Sequence, residues 1–257
     1  MKRFLGMLMF LTRIPIKADI GFDKDFHKGM KFFTLIGVVL GGGYITLSFL
    51  LLKVLEVKLS SIILMAIVIL LTGGLHLDGL ADSFDGLYSY RSKEKILEIM
   101  KDSRVGTNGL LAIFIYLLLK INLFELFFEN KILIPIFFMP ILGRLSIVIA
   151  AYKAKSPRKD GMGNIFIGKV SNFTLVINVF IFIFLNIIFI LNSYDYCFLL
   201  INLSFLVLLF LFVKLIKIYV YGIIDGITGD ILGCICELSE LFYLFYFWGG
   251  LKLFHYI

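Results

Sequence analysis

The chain has 257 residues, of which 60% are hydrophobic and only 17% are charged, and its formal net charge is +7. Together with a mean hydropathy of +1.00, this composition excludes an ordinary soluble domain and is typical of a chain that crosses a bilayer several times. The odd number of cysteines argues against a disulfide framework. We interpret all three, Cys197, Cys234 and Cys236, as packing residues rather than metal ligands.

The first element is a segment, residues 1–15, with early charge followed by an apolar stretch. Arg13 interrupts that stretch and no small-residue cleavage site follows, so we expect a retained helix that lies at the membrane surface. A sliding window of about 19 residues then finds apolar runs of helical length. They lie at 31–52, 59–72, 109–128, 132–152, 173–191, 198–218 and 231–251. The second run is short, and we expect it to extend into Gly73-Gly74 or to enter the membrane obliquely.

The sequence therefore predicts an all-α fold, a polytopic integral membrane helical bundle of about seven transmembrane helices. No Pro- or Ser-rich linker divides residues 1–257, so we expect a single domain. Basic residues concentrate before the first run and in two later segments that face the same side, which predicts a cytoplasmic N-terminus. The opposite side keeps only five lysines in this scheme: Lys53, Lys58, Lys120, Lys131 and Lys252. The positive charge favours anionic lipid, and nothing in the sequence favours nucleic acid.

Three acidic residues follow the second run at helical spacing: Asp78, Asp82 and Asp85. Positions i, i+4 and i+7 fall on one stripe of a helix, so these carboxylates repel one another unless a cation or another partner offsets their charge. Mg²⁺ prefers such oxygen ligands and can bridge protein and diphosphate. The accompanying glycines, Gly74, Gly79 and Gly86, suggest close approach of another backbone or of a substrate. The structural alternative is a solvated acidic helix face.

Two basic segments on the same side could bind phosphate. Arg104 and Asn108 lie at the start of the third run, where free N–H groups of a helix favour anions, although a plain helix-entry turn capped by Thr107 or Asn108 explains them equally well. The loop 153–172 has the second set of candidates, for which ordinary positive-inside charge is the alternative. These candidates are Arg158, Lys159, Asn164 and Lys169.

Further ionisable residues lie in or beside the apolar runs. Asp230 and Glu237 are seven residues apart, hence on one helical face, and we interpret them as a second half of the metal site. Arg144, within the fourth run, could pair with one of the acids or reach a phosphate, unless it extends to the interface. His76 could assist proton transfer, although a single histidine is more often structural.

Several blocks, taken together, resemble the cobalamin synthase family over nearly the whole chain and in the family's order. They are residues 11–15, which contain Arg13, and residues 73–86, 97–107, 163–169 and 228–237. Arg13 joins the candidate substrate-binding residues through the first block. The resemblance implies an adenosylcobinamide-GDP ribazoletransferase in a bacterial or archaeal cell membrane, with its active site on the cytoplasmic side.

The implied reaction transfers the phosphocobinamide group of adenosylcobinamide-GDP to the 3'-hydroxyl of α-ribazole or its 5'-phosphate. It releases GMP and uses Mg²⁺, for which Asp78, Asp82, Asp85, Asp230 and Glu237 are the candidate ligands. Asp82 or Asp85 could instead accept the proton of the attacking hydroxyl, with His76 assisting. The bilayer is an expected partner, and a homo-oligomer is compatible with the sequence.

Two other functions are weighed against this one. Another membrane diphosphate–alcohol phosphotransferase that depends on Mg²⁺ would share the chemistry, although such enzymes use more widely spaced acidic signatures. A cation-coupled transporter would carry charges deep within several runs, whereas we expect the acids here to gather at one interface.

Overall fold

The structure, a computed structural model, describes residues 2–16, 25–193, 196–254 and 256. Within these residues it contains α-helices joined by short loops and two 3₁₀ segments, and no strand. The helices are α1 (Lys2–Leu11), α2 (Phe33–Val54), α3 (Val57–Thr72), α4 (Leu75–Leu87), α5 (Lys93–Ile99), α6 (Thr107–Glu129), α7 (Ile134–Ala151), α8 (Asn172–Ser193), α9 (Tyr196–Ile224) and α10 (Gly229–Leu253). The prediction of an all-α fold is confirmed.

The long apolar helices match the predicted runs. In the described chain, α2, α6, α7, α8, α9 and α10 are each long and apolar enough to cross a membrane, and the pair α3–α4 makes a seventh if it is counted as one span. Every predicted run falls on one of these helices. The fold is therefore a multi-pass helical bundle, because in lipid a helix is the way for a continuous segment to satisfy its own backbone hydrogen bonds.

The short second run does not extend into Gly73-Gly74 as expected, because α3 ends at Thr72 and a sharp bend follows. The axes of α3 and α4 differ by 90°, and Gly73 and Gly74 between them have φ of 63° and 68°. This left-handed backbone favours glycine, since a side chain would be strained there. Beyond the bend, α4 lies across the first turns of α10 and α6, where Gly79 contacts Asp230 and Asp85 contacts Gly106. With 13 residues, α4 is too short to count as a span by itself.

The N-terminal helix α1 forms as predicted. It buries Met7 and Leu11, and Met7 packs against Gly29 of the 3₁₀ segment Phe26–Phe32. After the helix, the backbone N–H of Arg13 donates to the carbonyl of Leu71 at 2.7 Å. These contacts connect the start of the chain to the end of α3; its position relative to a membrane surface stays a prediction.

The centre of the bundle is formed by α7 and α10. The apolar windows of these helices are 89% and 72% buried, whereas those of the other long helices are 22% to 33% buried. Two glycines of α2 let its backbone approach α7. A Cβ at Gly37 would lie 2.6 Å from the Cα of Ile141, and one at Gly41 would overlap the carbonyl oxygen of Phe137. Small residues commonly allow such close packing in membrane bundles. Side chains on α7 and α10 are consequently shielded from lipid.

Candidate functional site

A cavity of about 170 Å³ opens where α4, the start of α10 and the loop after α7 meet. One wall is apolar and contains Phe10, Phe33 and Phe166. The facing residues are polar, and the cavity combines both signs of charge: Asp78, Arg158, Asp160, Asn164, Thr228 and Asp230. The site thus offers an aromatic surface and a charged surface to one ligand, at the end of the bundle that holds most of the basic loops.

Two glycine contacts bring the acidic stripe of α4 onto the first turn of α10. A Cβ at Gly79 would lie 2.6 Å from the carbonyl oxygen of Asp230, and one at Gly233 would lie 3.2 Å from the Cα of His76. The expectation that Gly79 marks the close approach of another backbone is confirmed. The helix α4 therefore packs directly on the start of α10.

The carboxylates of Asp78, Asp82 and Asp230 influence one another across this contact. Burial, and then the charges of Asp78 and Asp230, raise the pKa of Asp82 to about 7. Asp78 is exposed, while Asp82 and Asp230 are half-buried. Like charges that interact in this way cost free energy unless a cation or a proton offsets them.

No three His, Cys, Asp or Glu side chains of the described chain are grouped so as to hold a metal ion by themselves. The five predicted ligands are therefore not gathered into one centre. The chemistry of the donors on Asp78, Asp82 and Asp230 still fits Mg²⁺, which takes oxygen ligands and often uses only one or two carboxylates together with water and substrate phosphates. One or two of these three carboxylates could hold Mg²⁺ together with a diphosphate, and the ion would relieve the repulsion between them.

Asp85 lies on the same stripe but has a different environment. Its two carboxylate oxygens accept hydrogen bonds from the backbone N–H groups of Gly106 at 2.7 Å and Gly109 at 2.8 Å. A carboxylate satisfies the free N–H groups of a helix start and interacts favourably with its dipole. Asp85 thus caps α6 and connects it to α4. Asp85 does not line the cavity and both of its oxygens accept backbone hydrogen bonds, so the geometry supports this capping role rather than the predicted role of metal ligand or general base.

The same contact corrects the expectation for the start of α6. The cap residue is Gly106 rather than Thr107 or Asn108, and the N–H groups expected to bind phosphate are those that Asp85 occupies. Asn108 is exposed. Arg104 pairs instead with Asp102 at 2.6 Å on the exposed surface, and the hydrogen bond from Arg104 lowers the pKa of Asp102 to about 2. Neither Arg104 nor Asn108 lines the cavity. This segment is therefore a plain helix-entry turn, the alternative to phosphate binding given above.

Glu237 is also separated from the cavity. Its carboxylate accepts a hydrogen bond from the hydroxyl of Tyr116 and lies 3.5 Å from the Nζ of Lys120, all three within the bundle. Seven residues along a helix amount to about 10 Å of rise. Asp230 and Glu237 share a face, but only Asp230 reaches the cavity, so the structure corrects the placement of Glu237 in the metal site.

Glu237 belongs to a buried ionic cluster, which we define as Tyr116 and Lys120 of α6, Arg144 of α7, and Cys236, Glu237 and Glu240 of α10. Lys120 lies 2.6 Å from Glu240, and Arg144 pairs with the same carboxylate. The expectation that Arg144 pairs with an acid is confirmed. Arg144 is 2% exposed, so it neither extends to the membrane interface nor contacts a phosphate directly. Lys120 is fully buried, which corrects its assignment to the opposite surface.

The ionic cluster also corrects the expectation that charges gather only at the interface. Two cations and two carboxylates lie deep within α6, α7 and α10. Charges deep within several helices are the feature that we expected of a transporter. Their charges sum to zero, and each cation lies within 4 Å of a carboxylate. A paired, neutral cluster is the form in which ionisable groups are least costly in a membrane interior.

The basic loop supplies the cation of the cavity. Arg158 lies 3.3 Å from the carboxylate of Asp230 and 3.3 Å from the carbonyl oxygen of Leu97. The side chain of Asn164 donates to the carbonyl of Arg158 at 3.0 Å. A Cβ at Gly163 would lie 2.5 Å from the Cα of Gly229, so this glycine lets the loop rest on the start of α10. Arg158 and Asn164 are therefore brought to Asp230.

The remaining predicted site residues differ in exposure and in whether they line the cavity. Lys159 and Lys169 are exposed and do not line the cavity. Arg13 is exposed as well, and its side chain covers Gly73 at the bend. His76 lines the cavity; it is 4% exposed, and its Nδ1 has no hydrogen-bond partner within the described residues.

Thr228 is a cavity residue that sequence reasoning missed. Its hydroxyl accepts a hydrogen bond from the N–H of Ile231 at 3.2 Å, as the cap of α10, and donates to Asp230 at 3.2 Å. The signal was available, since a threonine two residues before an acid is typical of a helix start. Lys120 and Tyr116 were missed as members of the ionic cluster because no local pattern indicates which residues of a long apolar helix face the interior.

Comparison with known proteins gives consistent matches over almost the whole chain. The sequence profile of the family described as cobalamin-5-phosphate synthase matches residues 3–248. A Clostridioides difficile protein named adenosylcobinamide-GDP ribazoletransferase is 46% identical over 258 residues, which cover 96% of each chain. A protein of the same name from Alkaliphilus metalliredigens is 44% identical, covering 96% of this chain and 94% of the relative. One from Clostridium novyi is 34% identical over 95% of both. No solved structure matches the chain.

Proposed function

This chain belongs to the cobalamin-5-phosphate synthase family, and from that premise we propose that it is an adenosylcobinamide-GDP ribazoletransferase. The observation that carries this function is 46% identity over 96% of the chain to a relative of that name. The protein transfers the phosphocobinamide group of adenosylcobinamide-GDP to the 3'-hydroxyl of α-ribazole or its 5'-phosphate and releases GMP. This is a phosphotransferase reaction on a substituted phosphate group.

The charged side of the cavity supports the binding of the diphosphate. The guanidinium of Arg158 is placed by Asp230 and by the carbonyl of Leu97, and its Nε has no partner among the described residues. Arginine suits phosphate oxygens because its donors are planar and permanently charged. Asn164 holds the backbone of the loop at Arg158. We assign to Arg158 the role of orienting the diphosphate, with Asn164 as a positioning residue.

We propose Mg²⁺ as the cofactor, with Asp78, Asp82 and Asp230 as the residues that would hold it. When bound, the ion would neutralise charge on the bridging and leaving oxygens of the diphosphate. Asp82 does not itself line the cavity, but the charges of Asp78 and Asp230 both act on it, and it is our candidate for the group that accepts the proton of the attacking hydroxyl. Asp85 positions α4 on α6. Because His76 is buried and lines the cavity, we propose that it shapes the cavity wall.

The ionic cluster does not favour the alternative function of a cation-coupled transporter. A translocation path needs charged groups that a moving ion can displace and water can reach. Here the two cations are buried and within reach of the two carboxylates, and the family membership is that of a synthase. We propose that the cluster holds α6, α7 and α10 in register beneath the active site.

The site and the N-terminus are proposed to lie on the cytoplasmic side of the cell membrane. The support is the concentration of basic residues in the loops at this end of the bundle. Labelling of single cysteines by a membrane-impermeant reagent would test it. A cysteine at Lys159 should react only in inverted vesicles and one at Lys131 only in intact cells, and the reverse pattern would contradict the orientation.

The activity can be tested on protein reconstituted into liposomes. With adenosylcobinamide-GDP, α-ribazole and Mg²⁺, we expect equimolar GMP and a larger corrinoid product by mass spectrometry. Liposomes with the Asp82→Asn variant are the control for contaminating activity. If folded wild-type protein forms no GMP, the proposed function is wrong. Equal activity after chelation of divalent metal would contradict only the assignment of Mg²⁺.

A further inference from the structure

A second cavity lies on the outer surface of the bundle, away from the active site. It has a volume of about 830 Å³ and runs between the end of α7, the start of α8 and the second half of α9. It shares no lining residue with the cavity described above. Its walls are mostly apolar, including Ile149, Leu175 and Phe210, and residues such as Val207 at its edge are 68% exposed. We call this feature the outer groove.

Three lysines line the outer groove: Lys153, Lys214 and Lys217. None of them forms an ion pair with an acidic residue of the described chain. The Nζ of Lys217 donates to the carbonyl oxygen of Tyr152 at 3.0 Å, and Lys153 lies over the ring of Tyr152. This contrasts with the ionic cluster, where each cation has a carboxylate within 4 Å. The outer groove therefore has an excess of positive charge beside an apolar surface.

Lys214 and Lys217 lie toward the end of α9 that leads into the cavity loop at Thr228. At 29 residues, α9 is about 43 Å long, longer than the hydrocarbon core of about 30 Å. Lys217 and Lys214 lie seven and ten residues before its end, hence about 10 to 15 Å below it. Val207 and Leu211 lie deeper in the groove. A ligand that fills the groove would meet cations at one end and apolar side chains at the other.

We propose that the outer groove binds an anionic phospholipid, with the phosphate at Lys153, Lys214 and Lys217 and an acyl chain along Val207 and Leu211. The charge of the groove favours an anionic head group over a zwitterionic one, and basic pockets between helices are typical sites for such lipids. The apolar length of the groove distinguishes this ligand from free phosphate, which would make no use of it. This inference does not depend on the proposed enzymatic function.

The experiment is native mass spectrometry of the full chain released from nanodiscs that contain equal amounts of phosphatidylglycerol and phosphatidylcholine of the same acyl length. We expect one retained phosphatidylglycerol and little phosphatidylcholine. Lys214→Gln/Lys217→Gln should weaken this retention by about tenfold, and Lys214→Arg/Lys217→Arg should restore it. Leu211→Trp, which keeps the charges and fills the groove, should also weaken it.

Two controls separate a site from general attraction. Lys53→Gln/Lys252→Gln removes the same charge at the other end of the bundle, and Val176→Trp adds at least as much bulk as Leu211→Trp to an exposed position outside the groove. Both should retain the lipid as the wild type does. Equal retention of the two lipids by the wild type, or equal losses in the controls, would overturn the proposal. So would displacement by inorganic phosphate alone. Circular dichroism and elution volume establish that each variant is folded.

Discussion

The Nζ of Lys120 and the Oε2 of Glu240 lie 2.6 Å apart at the centre of the bundle, where neither side chain is exposed to solvent. Arg144 approaches the other oxygen of the same carboxylate, and Glu237 completes a neutral set. A cation from α6 and one from α7 thus converge on a single residue of α10. Because α10 also carries Asp230 into the cavity, this pair stabilises a helix on which the proposed active site depends.

Removing one charged residue of this cluster should lower the free energy of unfolding, because an unpaired charge would remain buried. We expect Lys120→Met to destabilise the protein by about 3 to 5 kcal/mol. The double variant Lys120→Met/Glu237→Gln restores neutrality and keeps the pair of Arg144 and Glu240, so it should lose less than the sum of the two single variants. Unfolding titrations in mixed detergent micelles measure this, and additive losses would contradict it.

We propose that Asp82 accepts the proton of the attacking hydroxyl. Asp82→Asn should reduce turnover by about 100-fold or more, the usual contribution of a general base, while insertion and thermal stability stay near those of the wild type. GMP formation in liposomes is the measurement. Asp225→Asn is the matched control, because Asp225 is an exposed acid paired with Lys93 on the surface. Near-normal turnover of Asp82→Asn would remove Asp82 from the active centre.

Asp85 should behave as a structural residue although it shares a stripe with Asp82. Asp85→Ala removes both hydrogen bonds to the start of α6, and we expect it to lower stability by about 1 to 2 kcal/mol. Asp85→Asn can still accept a hydrogen bond and should lose less. Turnover measured well below the unfolding temperature should fall less than in Asp82→Asn. If Asp85→Asn is stable and inactive, the capping role does not explain this residue.

Arg158 and its neighbour Lys159 form a natural comparison in the basic loop. The side chain of Arg158 is 12% exposed and close to Asp230, whereas Lys159 is exposed. Arg158→Gln should raise KM for adenosylcobinamide-GDP by about tenfold, as expected for the loss of a charge-assisted hydrogen bond. Lys159→Gln should leave KM nearly unchanged. Initial rates over a range of substrate concentrations test both, and equal effects would indicate general electrostatic attraction.

Gly79 lets α4 rest on α10. A Cβ there would lie 2.6 Å from a backbone oxygen, which cannot move aside as a side chain can. We expect Gly79→Ala to destabilise the protein by about 1 to 3 kcal/mol, the usual cost of overpacking, and to lower turnover by separating Asp78 from Asp230. Gly42→Ala is the control, since a Cβ at Gly42 meets nothing within 4 Å. Its stability should be unchanged or slightly higher.

The long helices were predictable from the sequence because each is a local property. A run of about 20 apolar residues satisfies its own hydrogen bonds in lipid, whatever the rest of the chain does. The bend at Gly73-Gly74 was not predicted: the short second run was expected to extend into these glycines or to enter the membrane obliquely, whereas α3 ends at Thr72. The close contact at Gly79 could also be expected, because glycine within a helix needs a reason. The family blocks added the activity, which composition and periodicity do not contain.

The roles of single charged residues were decided by tertiary structure. Asp82 and Asp85 share a stripe on α4, but the start of α6 lies against Asp85, and its N–H groups occupy that carboxylate. Asp230 and Glu237 share a face of α10, but about two turns separate the one in the cavity from the one in the ionic cluster. Lys120 was assigned to the surface opposite the basic loops because the sequence does not show how deep in its membrane helix a lysine lies. Helical spacing specifies a direction around one axis; which neighbour lies in that direction, and at what depth, depends on packing between distant helices.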